Sequence, residues 1–181
     1  MKNIILSSLF LFLTACATSV NVDYQPGTDF AALKSFRIEG KPLAVPNDPR
    51  VNSPFTKDRI IEALKNQLTL KGLAAKKDKP DIVVKYHLGV KQELESDASG
   101  MSFGIGSSSS NSAFGFMFGA GSDVATIENL TITIDLVKSG TEKLLWRGSF
   151  ESRLAAGSTP ESSNQLIKAM VKEILSKFPP K

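Results

Sequence analysis

The sequence predicts an α+β domain: a two-layer sandwich whose mainly antiparallel sheet of about five strands carries two amphipathic helices on one face. Three observations predict it. Three stretches alternate apolar and polar residues, as strands with one buried and one wet face do. Two others repeat apolar residues at helical spacing. The order strand, strand, helix, strand, strand, strand, helix offers each helix a sheet face to cover.

Before the first strand, Met1 to Ala15 carries an early cation, Lys2, and then the almost wholly apolar run Ile4 to Leu13. This is the plan of a secretory signal. A transmembrane helix needs about 20 apolar residues, and here the chain turns polar at Ala17-Thr18-Ser19. The small residues Thr14 and Ala15 leave room for a peptidase before Cys16, the only cysteine of the chain. Its thiol is the soft nucleophile available for acylation. Leu13-Thr14-Ala15-Cys16 resembles the bacterial lipobox. The resemblance implies a diacylglycerol thioether on Cys16, cleavage before it, and a third acyl chain on the freed amine. Several chains hold a protein firmly where one anchors it only marginally. The expected organisation is therefore a signal peptide at 1–15, a short lipid tether at 16–19 and one domain at 20–181. At about 3.5 Å per residue the tether reaches about 15 Å, so the domain should sit against its membrane. Ala17, rather than Asp, follows Cys16. By the sorting rule of many Gram-negative lipoproteins this favours the outer membrane, with the domain facing the periplasm and surface export left open.

The chain beyond the signal has the size of a single core. With Cys16 acylated no thiol remains, so stability must come from packing rather than disulfides or Cys-built metal sites. The formal charge of the whole chain is +4. Export removes nucleic acid as a partner, and no aromatic-plus-Arg module for it appears.

Val20 to Tyr24 alternates and stops at Pro26-Gly27, a first strand. Asp29 to Lys34 makes a helical turn, and Ser35 to Glu39 alternates again. Pro42, Pro46, Pro49 and Pro54 then mark an extended connector. A helix opens near Thr56, with Thr56 or Ser53 as its cap, and carries Ile60, Ile61, Leu64 and Leu68 to a stop at Gly72. The clearest strand has Ile82, Val84, Tyr86, Leu88, Val90 and Leu94 on one face and Lys85, His87, Lys91, Glu93 and Glu95 on the other. Leu130, Ile132, Ile134 and Leu136 repeat the pattern against Thr131, Thr133 and Asp135. A third copy places Leu144, Trp146, Phe150 and Leu154 inward, with Arg147, Glu151 and Arg153 outward. Thr159-Pro160-Glu161 starts the last helix, whose apolar side runs from Leu166 to Phe178.

Several of these stretches together resemble the DUF4136 lipoproteins: Val22-Asp23-Tyr24, Asp29-Phe30, Lys34-Ser35-Phe36, Pro80-Asp81-Ile82-Val83-Val84-Lys85-Tyr86, Ile134-Asp135-Leu136 and Leu145-Trp146-Arg147-Gly148. The resemblance covers essentially the whole domain. It implies a bacterial envelope lipoprotein with no assigned activity, and it carries over no catalytic residue.

Two features are candidate interaction sites. The segment 96–123 between the long strands is rich in Gly and Ser and carries Phe103, then Phe114, Phe116 and Phe118. Rings at a period of two share one face of an extended chain, and covering exposed aromatics gains about 25 cal/mol per Å². A flexible excursion without a partner explains the same composition. The second candidate is the wet sheet face, where Lys85, His87, Thr133, Asp135, Arg147 and Glu151 collect, with Arg147 as a bidentate anchor for an acidic partner. A purely structural charge ladder is its bland counterpart.

Enzyme signals are thin. Gly100-Met101-Ser102-Phe103-Gly104 fits the nucleophile-elbow pattern, but no helix follows, and the single histidine, His87, precedes it on a strand. Asp78 and Asp81 read as turn residues around Pro80. No catalytic residue, cofactor or metal is expected. The sequence therefore points to a non-enzymatic, lipid-anchored envelope protein acting as an adaptor or structural component, partnered by the membrane through Cys16 and by an envelope protein or lipid. A carrier of a small apolar ligand or lipid in the periplasm is the alternative. The oligomeric state is not written in the sequence.

Overall fold

In a computed structural model the described residues are 19–40, 48, 52–95, 125–154, 157 and 159–180. Cys16 and the aromatic residues Phe103, Phe114, Phe116 and Phe118 lie outside them. The elements are β1 (Asn21–Tyr24), β2 (Ser35–Ile38), α1 (Pro54–Leu70), β3 (Ala74–Ala75), β4 (Ile82–Glu95), β5 (Ala125–Lys138), β6 (Leu144–Arg153) and α2 (Pro160–Ser176). The fold is α+β, as the alternation and helical spacing predict. Its sheet has the order β1-β6-β5-β4-β2-β3. β1, β6, β5 and β4 pair antiparallel, while β2 runs parallel to both β4 and β3. The additional strand β3 is two alanines long, too short to leave an alternating pattern.

Local chemistry sets the helix ends. Ser53 caps α1 by accepting from the Phe55 N–H at 3.3 Å, with Pro54 at the first helical position. Past its end Gly72 takes φ +84°, a conformation that costs glycine little. Thr159 and Ser162 form a reciprocal capping box on α2, again with proline in the first turn. The short helical turn at Phe30–Ala32 is capped by Asp29, whose Oδ1 accepts from the N–H groups of Ala31 and Ala32.

One core joins both helices to one sheet face. Ile60, Leu64 and Leu68 of α1 and Met170, Val171 and Ile174 of α2 share it with Tyr86, Ile134 and Trp146. Phe178 closes it at the C-terminal end, its ring edge-on to Trp146 with centroids 5.5 Å apart.

The structure corrects the inward placement of Leu144. An irregularity in the β5–β6 ladder pairs Leu136 with Trp146 but Val137 with Leu144. Leu145 is the extra residue and enters the core, leaving Leu144 37% exposed. One added residue in a strand changes which side chain faces inward, as a bulge does. Nor is the outer face wet throughout. The cross-strand partners Val83 and Val137 lie on it, buried at 3% and 5% yet outside the core cluster.

Candidate functional site: a charged row on the outer sheet face

Strand alternation turns Lys85, His87, Asp135 and Arg147 away from the helices, and the register aligns them. Lys85 stands opposite Asp135, Asp135 opposite Arg147, and Arg147 opposite Asp23. His87 lies one row along from Lys85 on the same face, opposite Thr133. Of the residues that the sequence marks on this face, His87 and Arg147 are thus brought onto one carboxylate, while the Lys85 side chain turns to other partners.

That carboxylate is Asp135, 5% exposed. Arg147 grips it with two parallel hydrogen bonds, Nε to Oδ1 at 2.6 Å and one terminal nitrogen to Oδ2 at 2.7 Å. His87 Nε2 lies 3.1 Å from Oδ2. An ionised carboxylate only accepts, so Nε2 carries the proton in this contact. Burial pushes the Asp135 pKa up, but the hydrogen bonds from Arg147 and His87 outweigh it, and the group titrates below the usual carboxylate range. His87 Nδ1 is buried and has no hydrogen-bond partner.

Lys85 belongs to a second, more exposed cluster. Its Nζ bonds Glu142 and lies 3.5 Å from Glu39, and the hydrogen bond with Glu142 raises its pKa. Glu142 sits in the β5–β6 turn at φ +55°, a backbone region uncommon for residues other than glycine. Neither acid is signalled by the sequence as a partner of Lys85, because Glu39 comes from the residue after β2 and Glu142 from the β5–β6 connection.

Asp81 also exceeds its sequence reading as an ordinary turn residue. Its Oδ2 accepts from the Lys34 N–H at 2.9 Å, the Ser35 N–H at 2.8 Å and the Ser35 hydroxyl at 2.8 Å. These bonds, the Lys34 backbone foremost, lower its pKa and tie β2 to the start of β4. Its position just before the strongest strand is the one signal that could have marked it.

A shallow groove of about 270 Å³ separates α1 and α2 on the opposite side, lined by Ala63, Asn66, Gln67, Lys168, Ala169 and Lys172. Among the described residues no group of three or more His, Cys, Asp or Glu could hold a metal ion, and no helix is long and apolar enough to cross a membrane.

A mostly antiparallel open sheet with two helices and an ordered polar outer face defines an α+β domain. Residues 20–180 match the family described as Domain of unknown function (DUF4136), and the chain belongs to that family. It is similar in fold to a DUF4136 family protein from Bacteroides thetaiotaomicron, with 13% identity, a TM-score of 0.51, and coverage of 89% of this chain and 95% of that one. It is also similar to a PDZ domain protein from Parabacteroides distasonis, with 15% identity and a TM-score of 0.54. That match covers 90% of this chain and 35% of the other, so the chain spans about a third of that protein's length. No curated protein matches.

Proposed function

We propose that this protein is a non-enzymatic component of the bacterial envelope, held by acyl chains on Cys16 at the outer membrane, that docks a partner on the outer face of its sheet. The observation that carries this reading is Asp135, buried on the face turned away from both helices and fixed by Arg147 and His87. Arg147 spends two donors on Asp135, and its side chain stays 48% exposed. A guanidinium already held in place loses little freedom when it meets an acceptor on a partner. An acidic or carbonyl-rich protein surface suits such a row.

Two experiments test the two halves of this reading. Cys16→Ser protein should be released from the membrane fraction or accumulate unprocessed; processed protein that still fractionates with membrane would refute lipid anchoring. A photoreactive residue at Lys85 should crosslink to one envelope protein in intact cells, and its failure to capture any would refute docking on this face.

A second reading, a carrier of small apolar cargo, is favoured by one observation. Tyr86 Oη and Trp146 Nε1 are buried on the core side without hydrogen-bond partners. Lipid retained through extraction, and lost in Tyr86→Phe or Trp146→Phe protein, would select it.

A further inference from the structure

The antiparallel ladder of β4 and β5 outruns its neighbours. β2 pairs with β4 only over Ile82–Val84, and β6 pairs with β5 no further than Asn129. Among the described residues no strand lies beside β4 from Lys85 to Glu95. Two hydrogen bonds fix which way its backbone groups point. The Glu39 N–H donates to the Val84 carbonyl on the β2 side, and the Ser139 N–H donates to the Asp81 carbonyl on the β5 side. The β4–β5 register has no irregularity. Alternation therefore turns the N–H and C=O groups of Tyr86, Leu88, Val90, Gln92 and Leu94 to the open edge. A long edge of this kind is a template for another strand.

We infer that the strand it takes is β4 of a second copy of this chain, antiparallel about a two-fold axis at Val90. In that register Val90 meets its own counterpart, Leu88 meets Gln92, and Tyr86 meets Leu94, all through the edge-facing groups. The same register sets Lys85 opposite Glu95 and His87 opposite Glu93, so the charge sequence along β4 is self-complementary. Shifting the axis by one residue towards the C-terminus would instead set Lys91 against its own copy. The pairing is also reciprocal in support. Residues 92–95 lie in the two-stranded end of the ladder, a form marginal on its own in water. They would gain a third strand from residues 85–88 of the partner copy, whose own ladder is flanked by β6. The result is a closed dimer with one continuous sheet.

The test uses Val90→Cys in the full chain. Cα atoms of a hydrogen-bonded antiparallel pair lie about 5.5 Å apart, within disulfide range. Mild oxidation of intact envelopes should give a disulfide dimer, and the unsubstituted chain oxidised in parallel controls for Cys16, so the outcome does not depend on lipidation. Adding Gln92→Pro removes an edge N–H from each copy without touching the ladder to β5. Two lost hydrogen bonds should weaken dimerisation about thirtyfold. Glu95→Lys should weaken it too, and Lys85→Glu in the same chain should restore it. Sedimentation of the unsubstituted, detergent-extracted protein should give a dimer mass independently of any substitution. A monomer mass would overturn the inference, as would a crosslink unaffected by Gln92→Pro. A crosslink to a different protein, or a thiol shielded within a monomer, would also overturn it and assign the edge to that occupant.

Discussion

Gly148→Ala is expected to destabilise the domain by about 3 kcal/mol, and the reason lies in one side chain. Gly148 occupies an inward position of β6 opposite Ile134, and the indole of Trp146 folds over it. A Cβ at Gly148 would stand 2.3 Å from Trp146 Cη2, 2.9 Å from Trp146 Cζ2 and 2.7 Å from Ile174 Cγ2. Carbon atoms in contact prefer about 3.5–4.0 Å, so the ring and the helix must each retreat by roughly 1 Å. Neither moves easily. Trp146 and Ile174 are fully buried, and Phe178 stands against the ring. Overpacking costs about 1–3 kcal/mol, and a clash with two immobile groups belongs at the upper end. For a chain of this size that corresponds to a fall in Tm of about 6–12 °C. Urea unfolding followed by tryptophan fluorescence reads the effect at its source, since Trp146 is the only tryptophan. Its emission should shift to the red in the folded variant. Combining Gly148→Ala with Trp146→Phe, with unfolding followed by circular dichroism because the fluorophore is gone, should cost less than the sum of the two, because phenylalanine lacks the second ring. A loss below about 0.5 kcal/mol with unchanged emission would refute the placement of the indole over Gly148.

Other outcomes follow from the polar groups. Asp135→Ala should cost about 2 kcal/mol: breaking a buried pair costs more, but the half-exposed Arg147 recovers hydration. Because folding holds the Asp135 pKa below its unfolded value of about 3.9, its stabilisation is present above that pH and is lost as pH falls through the folded value. Urea midpoints of the unsubstituted protein and Asp135→Asn should accordingly converge in acid, and a gap that persists there would contradict the assignment. Asp81→Ala should cost about 1 kcal/mol and speed hydrogen exchange at the Lys34 and Ser35 amides, the donors it holds. Equal exchange in both proteins would show that the clamp contributes nothing.

The elements were legible where one physical rule dominated. Val84, Tyr86 and Leu88 alternate with Lys85 and His87 because one face of β4 meets the helices and the other does not. Gly72 and Thr159-Pro160 marked helix ends, and Ser53 was one of two cap candidates for α1, because capping depends on residues within a turn of one another. Leu144 misled because a bulge is a property of two paired strands, and either strand alone shows only a run of apolar residues. The site was legible as a set of residues on one face and not as a constellation. Lys85, His87 and Arg147 could be assigned to the outer face by parity, whereas the grip of Arg147 on Asp135 depends on the β5–β6 register.

Taken alone, the sequence determined the α+β class, the approximate helix ends and the DUF4136 membership, all of which rest on local spacing or on motifs read along the chain. Tertiary structure decided which distant groups meet. Asp135 became a buried acceptor, Asp81 a clamp on β2, Glu142 a partner of Lys85, and Gly148 the seat of an indole. Each of these depends on register and layer packing, which couple residues far apart in the chain through directional hydrogen bonds and close contact, and no local pattern encodes that geometry.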